Sequence, residues 1–492
     1  MASSTTNAKG VGRDLTEGPI FSTLIVFAWP IILANVIQQL YGMVDLAVVG
    51  QFVGSIGTVG VNTGGEMADL MLPIGMGLGT AAQIYIAQLM GAKDHSRTKE
   101  TVSTLLTFST LLSIVLAVVM IVFSVPILNL LNCPEEAMGQ ASAYMIITAI
   151  GYPFIFGYNC VCGLLRGMGE SKRPLYFIIV AAVINIFADI LFVAVFKMEA
   201  AGTALATVLS QIGAFAASFY YLYRCRDKFD LQFDRSFLKM DPETLKVLVK
   251  LSIPQIARSL MVRLGLLYIN ANINAYGTEV SATNGVGNKL QKFLEVFMQG
   301  VDTASASMIG QNLGAKKTKR AGQVTWCTLA MTMSIAAVIS VIGVLFGRQL
   351  FGIFSNDELV LAMGKVYMEF MVIHFFSSAF VGAFQAMVTG CGFVSLGFAI
   401  GLLDGVVCKI GLSILFLPLF NQASGVFAFF CNQIPDIVTQ QVMQTDVGAI
   451  HNYGYLAYFL GIACSRIVPG LLCFGYFLSG KWKTRELVTK KK

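Results

Sequence analysis

The chain has 492 residues, of which 56% are hydrophobic and only 12% are charged. Soluble proteins carry about twice that charged fraction, so the composition excludes an ordinary soluble protein. Apolar runs of about twenty residues, each long enough to cross a bilayer, recur along the whole chain. They indicate a polytopic helical membrane protein.

The apolar runs predict twelve spans. In chain order these are residues 22–50, 60–89, 101–125, 138–164, 175–196, 202–223, 249–276, 283–311, 322–347, 360–388, 395–419 and 453–479. The predicted organisation is a cytoplasmic N-terminal segment (1–21), an N-lobe (22–223), a cytoplasmic linker (224–248), a C-lobe (249–479) and a basic cytoplasmic tail (480–492). We therefore expect an all-α membrane protein with two six-helix lobes.

Basic residues crowd alternate connections between the spans. They occupy the N-terminus, the stretches KDHSRTK, RGMGESKR and KKTKR, the central linker and the C-terminal tail. By the positive-inside rule, these connections and both termini are predicted to be cytoplasmic. The net charge of +7 is therefore explained by the membrane topology, and it does not indicate that the protein binds nucleic acid.

The two halves of the chain repeat. AQLMGAK ends at Lys93 and GQNLGAK ends at Lys316, a displacement of 223 residues (316 minus 93). Pro30 in the first span nearly matches Pro254 in the seventh, and both are predicted hinges. Parallel repeats of six spans are typical of transporters whose lobes are related by a pseudo-two-fold axis along the membrane normal. An insertion at about 420–452 departs from the repeat, and we expect an extracellular hairpin or interfacial segment there.

Polar residues recur at helical spacing inside the N-lobe spans, and such faces must point inward. They are Gln38, Tyr41 and Asp45 in span 1; Asn62, Glu66 and Asp69 in span 2; Asn185 and Asp189 in span 5; and Thr203, Thr207 and Ser210 in span 6. Interhelical hydrogen bonding better explains Asn62, Thr203 and Ser210. Glu66 and Asp69 fit either a structural role in interhelical hydrogen bonds or a functional role.

Asp45 and Asp189 stand apart because no Lys or Arg lies in the predicted N-lobe spans to pair with them. Two unpaired carboxylates, with an amide oxygen and a hydroxyl from other helices, suit a hard monovalent cation or a shared proton. We predict that this pair takes up a cation from solution.

The C-lobe spans carry charges of both signs. These are Arg258, Arg263, Lys289, Lys292, Glu295, Asp302, Asp404 and Lys409, and Lys292 and Glu295 have the spacing of a pair along one helix. Structural ion pairs are the favoured interpretation. Basic members that face a cavity would disfavour cationic substrates and could hold an acidic group. The candidate cavity residues are Gln38, Tyr41, Asn62, Glu66, Asp69, Arg258, Arg263, Lys292, Glu295 and Asp302.

Several motifs together resemble the MATE (multidrug and toxic compound extrusion) family, and its DinF-like bacterial branch in particular. They are WP and QQLYGMVDLAVVG in span 1, IAQLMGAK and IGQNLGAK after spans 2 and 8, LLRGMGESKRP after span 4, NIFAD in span 5, AGTALATVLSQ in span 6, LLDGVVCKIGL in span 11 and the closing YFLSGKWK. These motifs cover nearly the whole chain in order.

The resemblance implies a secondary antiporter in a bacterial cytoplasmic membrane that exports drugs or other small organic solutes in exchange for inward H⁺ or Na⁺. In that branch, the coupling residues fall on Asp45, Asn185, Asp189 and Thr207 of this sequence. Other branches use a span 7 Glu, where this chain has Arg258 and Arg263 instead. The implied partners are a small organic substrate that could be cationic, the coupling ion and the bilayer, and we expect a monomer without a cofactor.

Other functions remain open as alternatives. A flippase for a lipid-linked or anionic amphiphile shares the broad fold superfamily, and the cationic C-lobe suits a pyrophosphate headgroup. A channel is disfavoured because nothing resembles a selectivity-filter loop. An enzyme is not predicted, since the chain has no P-loop, HExxH or GxSxG motif and no soluble domain large enough for a site. Cys160-x-Cys162 lacks a second ligand pair, so no metal site is predicted.

Overall fold

The computed structural model describes residues 12–226, 239–420, 428–447 and 452–484, and within these ranges it contains helices and no strands. The termini (1–11 and 485–492), most of the predicted linker (227–238) and two parts of the predicted insertion (421–427 and 448–451) lie outside the described residues.

The N-lobe contains seven helices, of which one is short. They are α1 (Ile20–Phe52), α2 (Ser55–Ala92), α3 (His95–Val122), the short α4 (Ser124–Leu130), α5 (Glu135–Gly167), α6 (Lys172–Asp189) and α7 (Glu199–Arg224). A π-helical segment, Ile190–Val195, continues α6 directly.

The C-lobe contains the remaining helices. They are α8 (Pro242–Asn274), α9 (Thr278–Gly314), α10 (Thr318–Gly352), α11 (Glu358–Gly390), α12 (Val394–Leu402), α13 (Lys409–Phe416), the short α14 (Ala428–Cys431) and α15 (Asp436–Met443), α16 (Gly454–Cys464) and α17 (Ile467–Leu478). A π-helical segment, Leu403–Cys408, joins α12 to α13.

The described residues contain ten helical stretches that are long and apolar enough to cross a membrane. The helices α8 and α9 have 33 and 37 residues, which is also long enough, but they carry more polar side chains. Together they give the predicted twelve spans in two six-helix lobes, which confirms the fold class. Span 11 comprises α12, the π segment and α13, and span 12 comprises α16 and α17.

Local sequence signals explain where several helices begin. The side chains of Asp94, Asp241 and Asp357 accept hydrogen bonds from the first-turn amides of α3, α8 and α11. Such N-caps satisfy amides that have no partner within the helix. In α8, Pro242 follows the cap at the position where its missing N–H costs nothing.

The sequence repeat is also a repeat of backbone conformation. Lys93 and Lys316, which end the two GAK motifs, both have φ of 58°, so each terminates its helix in the left-handed region. Gly169 and Gly392 follow the same displacement and both have positive φ, at 83° and 66°. The matching ends of α2 with α9, and of α5 with α11, therefore arise from matching local sequences.

The lobes meet through α1 and α2 on one side and α8 and α9 on the other. Residues of α1 such as Leu24 and Ile31 share one hydrophobic cluster with Val301 of α9. A Cβ on Gly300 would lie 2.4 Å from the side chain of Ile32, so this glycine permits the close approach of α9 to α1. The α1 helix runs unbroken through Pro30, and α8 through Pro254.

The described part of the insertion consists of α14 and α15, both too short to cross a bilayer. Val438 and Val442 of α15 are buried, and Gln433 donates to Glu369 of α11 at 3.0 Å. This segment packs against the C-lobe.

Candidate functional site

A cavity of about 730 Å³ lies between the two lobes. Helices α1, α2, α5, α6 and α7 line it from the N-lobe, and α8, α9, α11 and the junction of α16 with α17 line it from the C-lobe. Its size is in the range of small-molecule sites, and its position at the repeat interface is where transporters of this design bind substrate.

Amide side chains are frequent on the cavity wall. Among them are Asn35, Gln38, Gln83, Gln211, Gln255 and Gln385. Each can donate and accept hydrogen bonds, so the wall can bind polar groups without a fixed charge.

The charged residues that line the cavity are Arg166, Arg258, Arg466 and Asp302. Four of the predicted cavity residues therefore reach the wall, namely Gln38, Tyr41, Arg258 and Asp302, and Thr207 lines it as well. Two of the cavity arginines, Arg166 and Arg466, were not predicted.

Six predicted cavity residues do not line the cavity. Asn62, Glu66 and Asp69 lie on an exposed face in the first half of α2. Arg263 on α8 forms a 3.0 Å ion pair with Asp69, which joins the lobes outside the cavity. Lys292 is exposed, whereas Glu295 is buried in the C-lobe. The helical spacing of these residues could not distinguish a cavity face from other polar surfaces.

Asp45 and Asp189 lie together in the N-lobe. Asp189 ends α6 and is 0% exposed, and its carboxyl group is within hydrogen-bond reach of the half-buried Asp45 on α1. Among the described residues, neither oxygen of Asp189 nor Oδ1 of Asp45 receives a hydrogen bond from a donor. We call these two carboxyl groups the acid pair, of which three oxygens are buried without a donor among the described residues.

Asn185 lies one turn before Asp189 and is 1% exposed. In the described part of the chain, neither atom of its side-chain amide has a hydrogen-bond partner. The π-helical segment begins directly after Asp189, and wide turns of this kind are frequent at functional sites. The amide of Asn185, both oxygens of Asp189 and Oδ1 of Asp45 are therefore buried without partners among the described residues, which is consistent with a site for a small cation.

The acid pair lies just behind the cavity wall. Neither aspartate lines the cavity, but Gln38 and Tyr41 of the same α1 face do, as does Thr207 of α7. The Gln38 side chain is within hydrogen-bond reach of the Tyr41 hydroxyl. A change in the charge of the acid pair can therefore affect the cavity wall through helix α1.

No lysine or arginine in the described residues forms an ion pair with the acid pair. The sequence-based prediction that the N-lobe spans lack basic residues nevertheless needs a correction. Helix α5 continues to Gly167, three residues beyond the predicted end at 164, so it includes Arg166. Arg166 faces the cavity, and its Nε donates to Oε1 of Gln83 at 3.1 Å.

Glu295 is the centre of a buried ion network in the C-lobe. It accepts hydrogen bonds from Arg466 at 3.0 Å and Ser378 at 3.3 Å, and His374 contacts the same oxygen. Arg466 also lies 3.8 Å from Asp404. Glu295 therefore pairs with Arg466 and His374 and not with Lys292, although the predicted preference for structural ion pairs fits the network.

Arg466 lies at the break between α16 and α17. The sequence signal that could have found it is the alignment of SQIGAFAASFYY with SRIVPGLLCFGY, which places Arg466 where the N-lobe has Gln211. Likewise, NIFADILF aligns with KIGLSILF, so Lys409 and Ser413 stand where the N-lobe has Asn185 and Asp189. At these three aligned positions, the C-lobe therefore has two basic residues and no acidic one, whereas the N-lobe has one acidic residue and no basic one.

Glycines hold span 11 close to α8. A Cβ on Gly265 would lie 1.7 Å from the carbonyl oxygen of Gly405, and one on Gly401 would lie 2.7 Å from Cα of Arg258. Small residues allow membrane helices to approach closely in this way. The contact fixes the stem of Arg258 beside the π segment that carries Asp404.

Hydrogen bonds between the lobes close one end of the cavity. Gln83 donates to Thr303 O at 2.9 Å and to Ser307 Oγ at 2.8 Å. Gln311 donates to Gly167 O at 2.9 Å and accepts from the amide of Leu15 at 3.0 Å. The predicted topology places this closed end on the cytoplasmic side.

The segment of residues 12–18 crosses this closed end and contacts both lobes. The Arg13 amide donates to Gly169 O at 3.1 Å on the N-lobe side. Lys317 of the C-lobe donates to Thr16 O at 3.1 Å, and Leu15 is fully buried. We call this segment the N-terminal strap.

Comparisons with known proteins agree with this architecture. The MatE family model matches residues 30–191 and 254–415, one segment in each lobe. The chain is 31% identical to "Probable multidrug resistance protein YoeA" of Bacillus subtilis (strain 168), over 71% of this chain and 76% of that protein. It is 27% identical to "Probable multidrug resistance protein YpnP" of the same organism, over 97% of this chain and 99% of that protein.

Among solved structures, the fold is similar to one described as "Crystal structure of MATE in the straight conformation". The TM-score is 0.84 at 18% identity, over 96% of this chain and 98% of that chain. This likeness concerns the fold, including the two six-helix lobes.

Proposed function

Because the chain belongs to the MatE family, whose relatives include multidrug resistance proteins, we propose that it is a secondary antiporter. It exports a small organic solute from the cytoplasm in exchange for inward H⁺ or Na⁺. The cation is taken up by Asp45 and Asp189, with Asn185 and Thr207 as neighbouring oxygen ligands.

The observation that carries this proposal is the complete burial of Asp189 beside Asp45, without a donor to either oxygen among the described residues. An ionised carboxylate at the centre of a membrane helix costs about 2.5–3.5 kcal/mol or more. Two adjacent carboxylates cannot both ionise cheaply, so the pair favours a bound proton or cation. Uptake of that cation removes one negative charge from the N-lobe site, which is a partial neutralisation.

Helix α1 can transmit this neutralisation to the cavity. It carries Asp45 towards its C-terminal end and the wall residues Tyr41 and Gln38 one and two turns earlier, respectively. Its N-terminal half packs on α9 of the C-lobe. We propose that α1 moves relative to α6 when the acid pair is neutralised, with Pro30 as the hinge, and that this movement releases the substrate.

The energy available is sufficient for export. One positive charge that moves inward across 100 mV supplies about 2.3 kcal/mol. This sustains a roughly fiftyfold gradient of a neutral substrate before any chemical gradient of the ion is added.

The test is driven uptake into everted membrane vesicles, with proton and sodium gradients imposed separately. Dansyl-cadaverine and dansyl-glutamate serve as cationic and anionic probes with the same fluorophore. We expect Asp189→Asn to abolish gradient-driven uptake of any probe that the wild type accumulates. Glu136→Gln, an exposed position in the first turn of α5, is the matched control and should behave as wild type. Wild-type uptake by the Asp189 variant would remove this residue from the mechanism.

A flippase for an anionic amphiphile is the second candidate, because three arginines and one acidic residue of the described chain line the cavity. Complementation of a strain that lacks its cell-wall precursor flippase would support this function. Restored drug resistance in a host without its own pumps would support the antiporter.

A further inference from the structure

We infer that the cavity binds an organic anion in preference to an organic cation, with Arg258 and Arg166 as the residues that hold the acidic group. This inference rests on the proposed transport function and names its substrate class. The ligand carries a carboxylate or phosphate on a body rich in hydrogen-bonding groups.

Arg258 is the first element of the site. It lines the cavity from α8, and no hydrogen bond or ion pair of its guanidinium to another described residue is found. Gly401 packs against its Cα and the first carbons of its side chain, which holds the base of the side chain close to span 11. A guanidinium that forms no hydrogen bond or ion pair with a described acidic side chain can bind a carboxylate or phosphate through two parallel hydrogen bonds.

Arg166 supplies a second cationic group from the opposite lobe. Its Nε donates to Gln83, and it forms no ion pair with an acidic side chain in the described residues. Gln83 in turn donates to Thr303 and Ser307 of the C-lobe. An anion that engages Arg166 would therefore act next to the contacts that close the cavity.

Arg466 contributes positive electrostatic potential to the cavity, but its guanidinium already interacts with other side chains of the C-lobe. Its Nη1 donates to Glu295 at 3.0 Å and to Ser378 at 2.7 Å, and its Nε lies 3.8 Å from Asp404. Glu295 and Asp404 match the charges of Arg466 and Lys409 in number, and Asp302 lies near both Arg466 and Arg258. With Arg166 added from the N-lobe, the site carries a formal excess of one positive charge.

Asp302 is the one acidic residue on the described cavity wall, and it could in principle bind a cation. Its carboxylate packs over Gly382, where a Cβ would lie 2.1 Å from Oδ2, and its Oδ1 is buried without a hydrogen-bond partner. A cation placed beside it would also lie near Arg258 and Arg466. The like charges would repel it, so this wall favours an anion.

The amide side chains define the rest of the ligand. Asn35, Gln38, Gln211 and Gln255 all line the cavity and present donors as well as acceptors. Peptide bonds, hydroxyl groups and sulfonamides can satisfy them, whereas a purely aromatic cation would leave them unpaired. The chemistry is therefore that of an acylated amino acid, a short acidic peptide or a sugar phosphate.

The test is equilibrium binding to the purified protein in detergent, without any ion gradient. Fluorescence titrations compare dansyl-glutamate with dansyl-cadaverine. We expect the wild type to bind the anion at least tenfold more tightly. The variants Arg258→Gln and Arg166→Gln should each weaken the binding of dansyl-glutamate by about tenfold, because each removes a charge-assisted hydrogen bond. Arg258→Lys should retain part of the affinity.

Lys250→Gln is the matched control, since it removes a positive charge from an exposed position of the same helix α8. It should leave both affinities unchanged. Equal or tighter binding of dansyl-cadaverine, or wild-type affinity for dansyl-glutamate in both arginine variants, would overturn the inference. The binding titration needs no coupling ion, so its failure is distinct from a failure of Asp189→Asn to abolish driven uptake.

The source of the anion is resolved by a second arm. Movement of a fluorescent phosphatidic acid across proteoliposome membranes, dependent on Arg258, would show that a lipid headgroup supplies the acidic group. Arg258-dependent uptake of dansyl-glutamate without such movement would show that a soluble solute does. Either result supports an anion site at Arg258.

Discussion

Arg466 donates from Nη1 to Oε1 of Glu295 at 3.0 Å, and this bond connects the break between α16 and α17 to helix α9. The two residues are separated by 171 positions in the chain. His374 and Ser378 of α11 contact the same carboxylate oxygen, so three elements of the C-lobe meet at one buried group.

Glu295→Ala should therefore destabilise the C-lobe strongly. The change leaves Arg466 without its main acidic partner and removes the carboxylate that His374 contacts, and breaking a buried ion pair costs about 3–5 kcal/mol. Thermal unfolding of the purified protein measures the effect. Glu358→Ala removes an exposed partner of Arg348 and should change the unfolding free energy by less than about 0.5 kcal/mol. Equal stability of the two variants would contradict a structural role for the network.

Gly265→Ala should disrupt the packing of α8 on span 11. The added Cβ would lie 1.7 Å from the Gly405 carbonyl oxygen, so one of the two backbones must move. Overpacking of this kind costs about 1–3 kcal/mol, and thermal unfolding should show it. Gly411→Ala is the control, because no atom lies within 4 Å of its added Cβ. If both alanine variants unfold at the wild-type temperature, the close contact between Gly265 of α8 and Gly405 of span 11 is absent.

Gln311→Ala should loosen the N-terminal strap. The substitution removes the acceptor for the Leu15 amide and the donor to Gly167 O. We expect amide hydrogen exchange in residues 12–18 to accelerate about tenfold, since each hydrogen bond contributes about 0.5–1.5 kcal/mol. Gln441→Ala, at an exposed position of α15, is the control. Unchanged exchange in the Gln311 variant would show that the strap is held by other contacts.

Asn185→Ala should raise the concentration of the driving ion needed for half-maximal uptake by about tenfold. Both atoms of the Asn185 amide lack a hydrogen-bond partner in the described residues, so its partner in the loaded state is the bound cation or a protonated carboxyl group. Uptake measured at graded ion concentrations tests this. A change of less than twofold would exclude Asn185 from the coupling site.

Much of the fold could be predicted from the sequence because a bilayer forces the backbone into helices whose apolar lengths are visible in the chain. The repeat of Lys93 at Lys316 predicted two matching lobes, and the same left-handed ends appear in both. The break at Arg466 and the π segments were not predicted, because such local departures depend on contacts with distant helices.

The candidate site was only partly predictable. Helical spacing identified Asp45, Asn185 and Asp189, because unpaired acids inside a span are costly wherever they face. The same spacing could not show that Asp69 pairs with Arg263 outside the cavity, or that Glu295 pairs with Arg466. Those pairings are set by how the helices pack in three dimensions.

Cation uptake by the acid pair is tested most directly by equilibrium titration of the purified protein. The measurements are proton uptake after a small pH step and binding of radioactive sodium, each compared between wild type, Asp189→Asn and Glu136→Gln. We predict one ion bound per molecule in the wild type and in Glu136→Gln, and none at this site in Asp189→Asn. Full ion binding by the Asp189 variant would contradict the proposed coupling site.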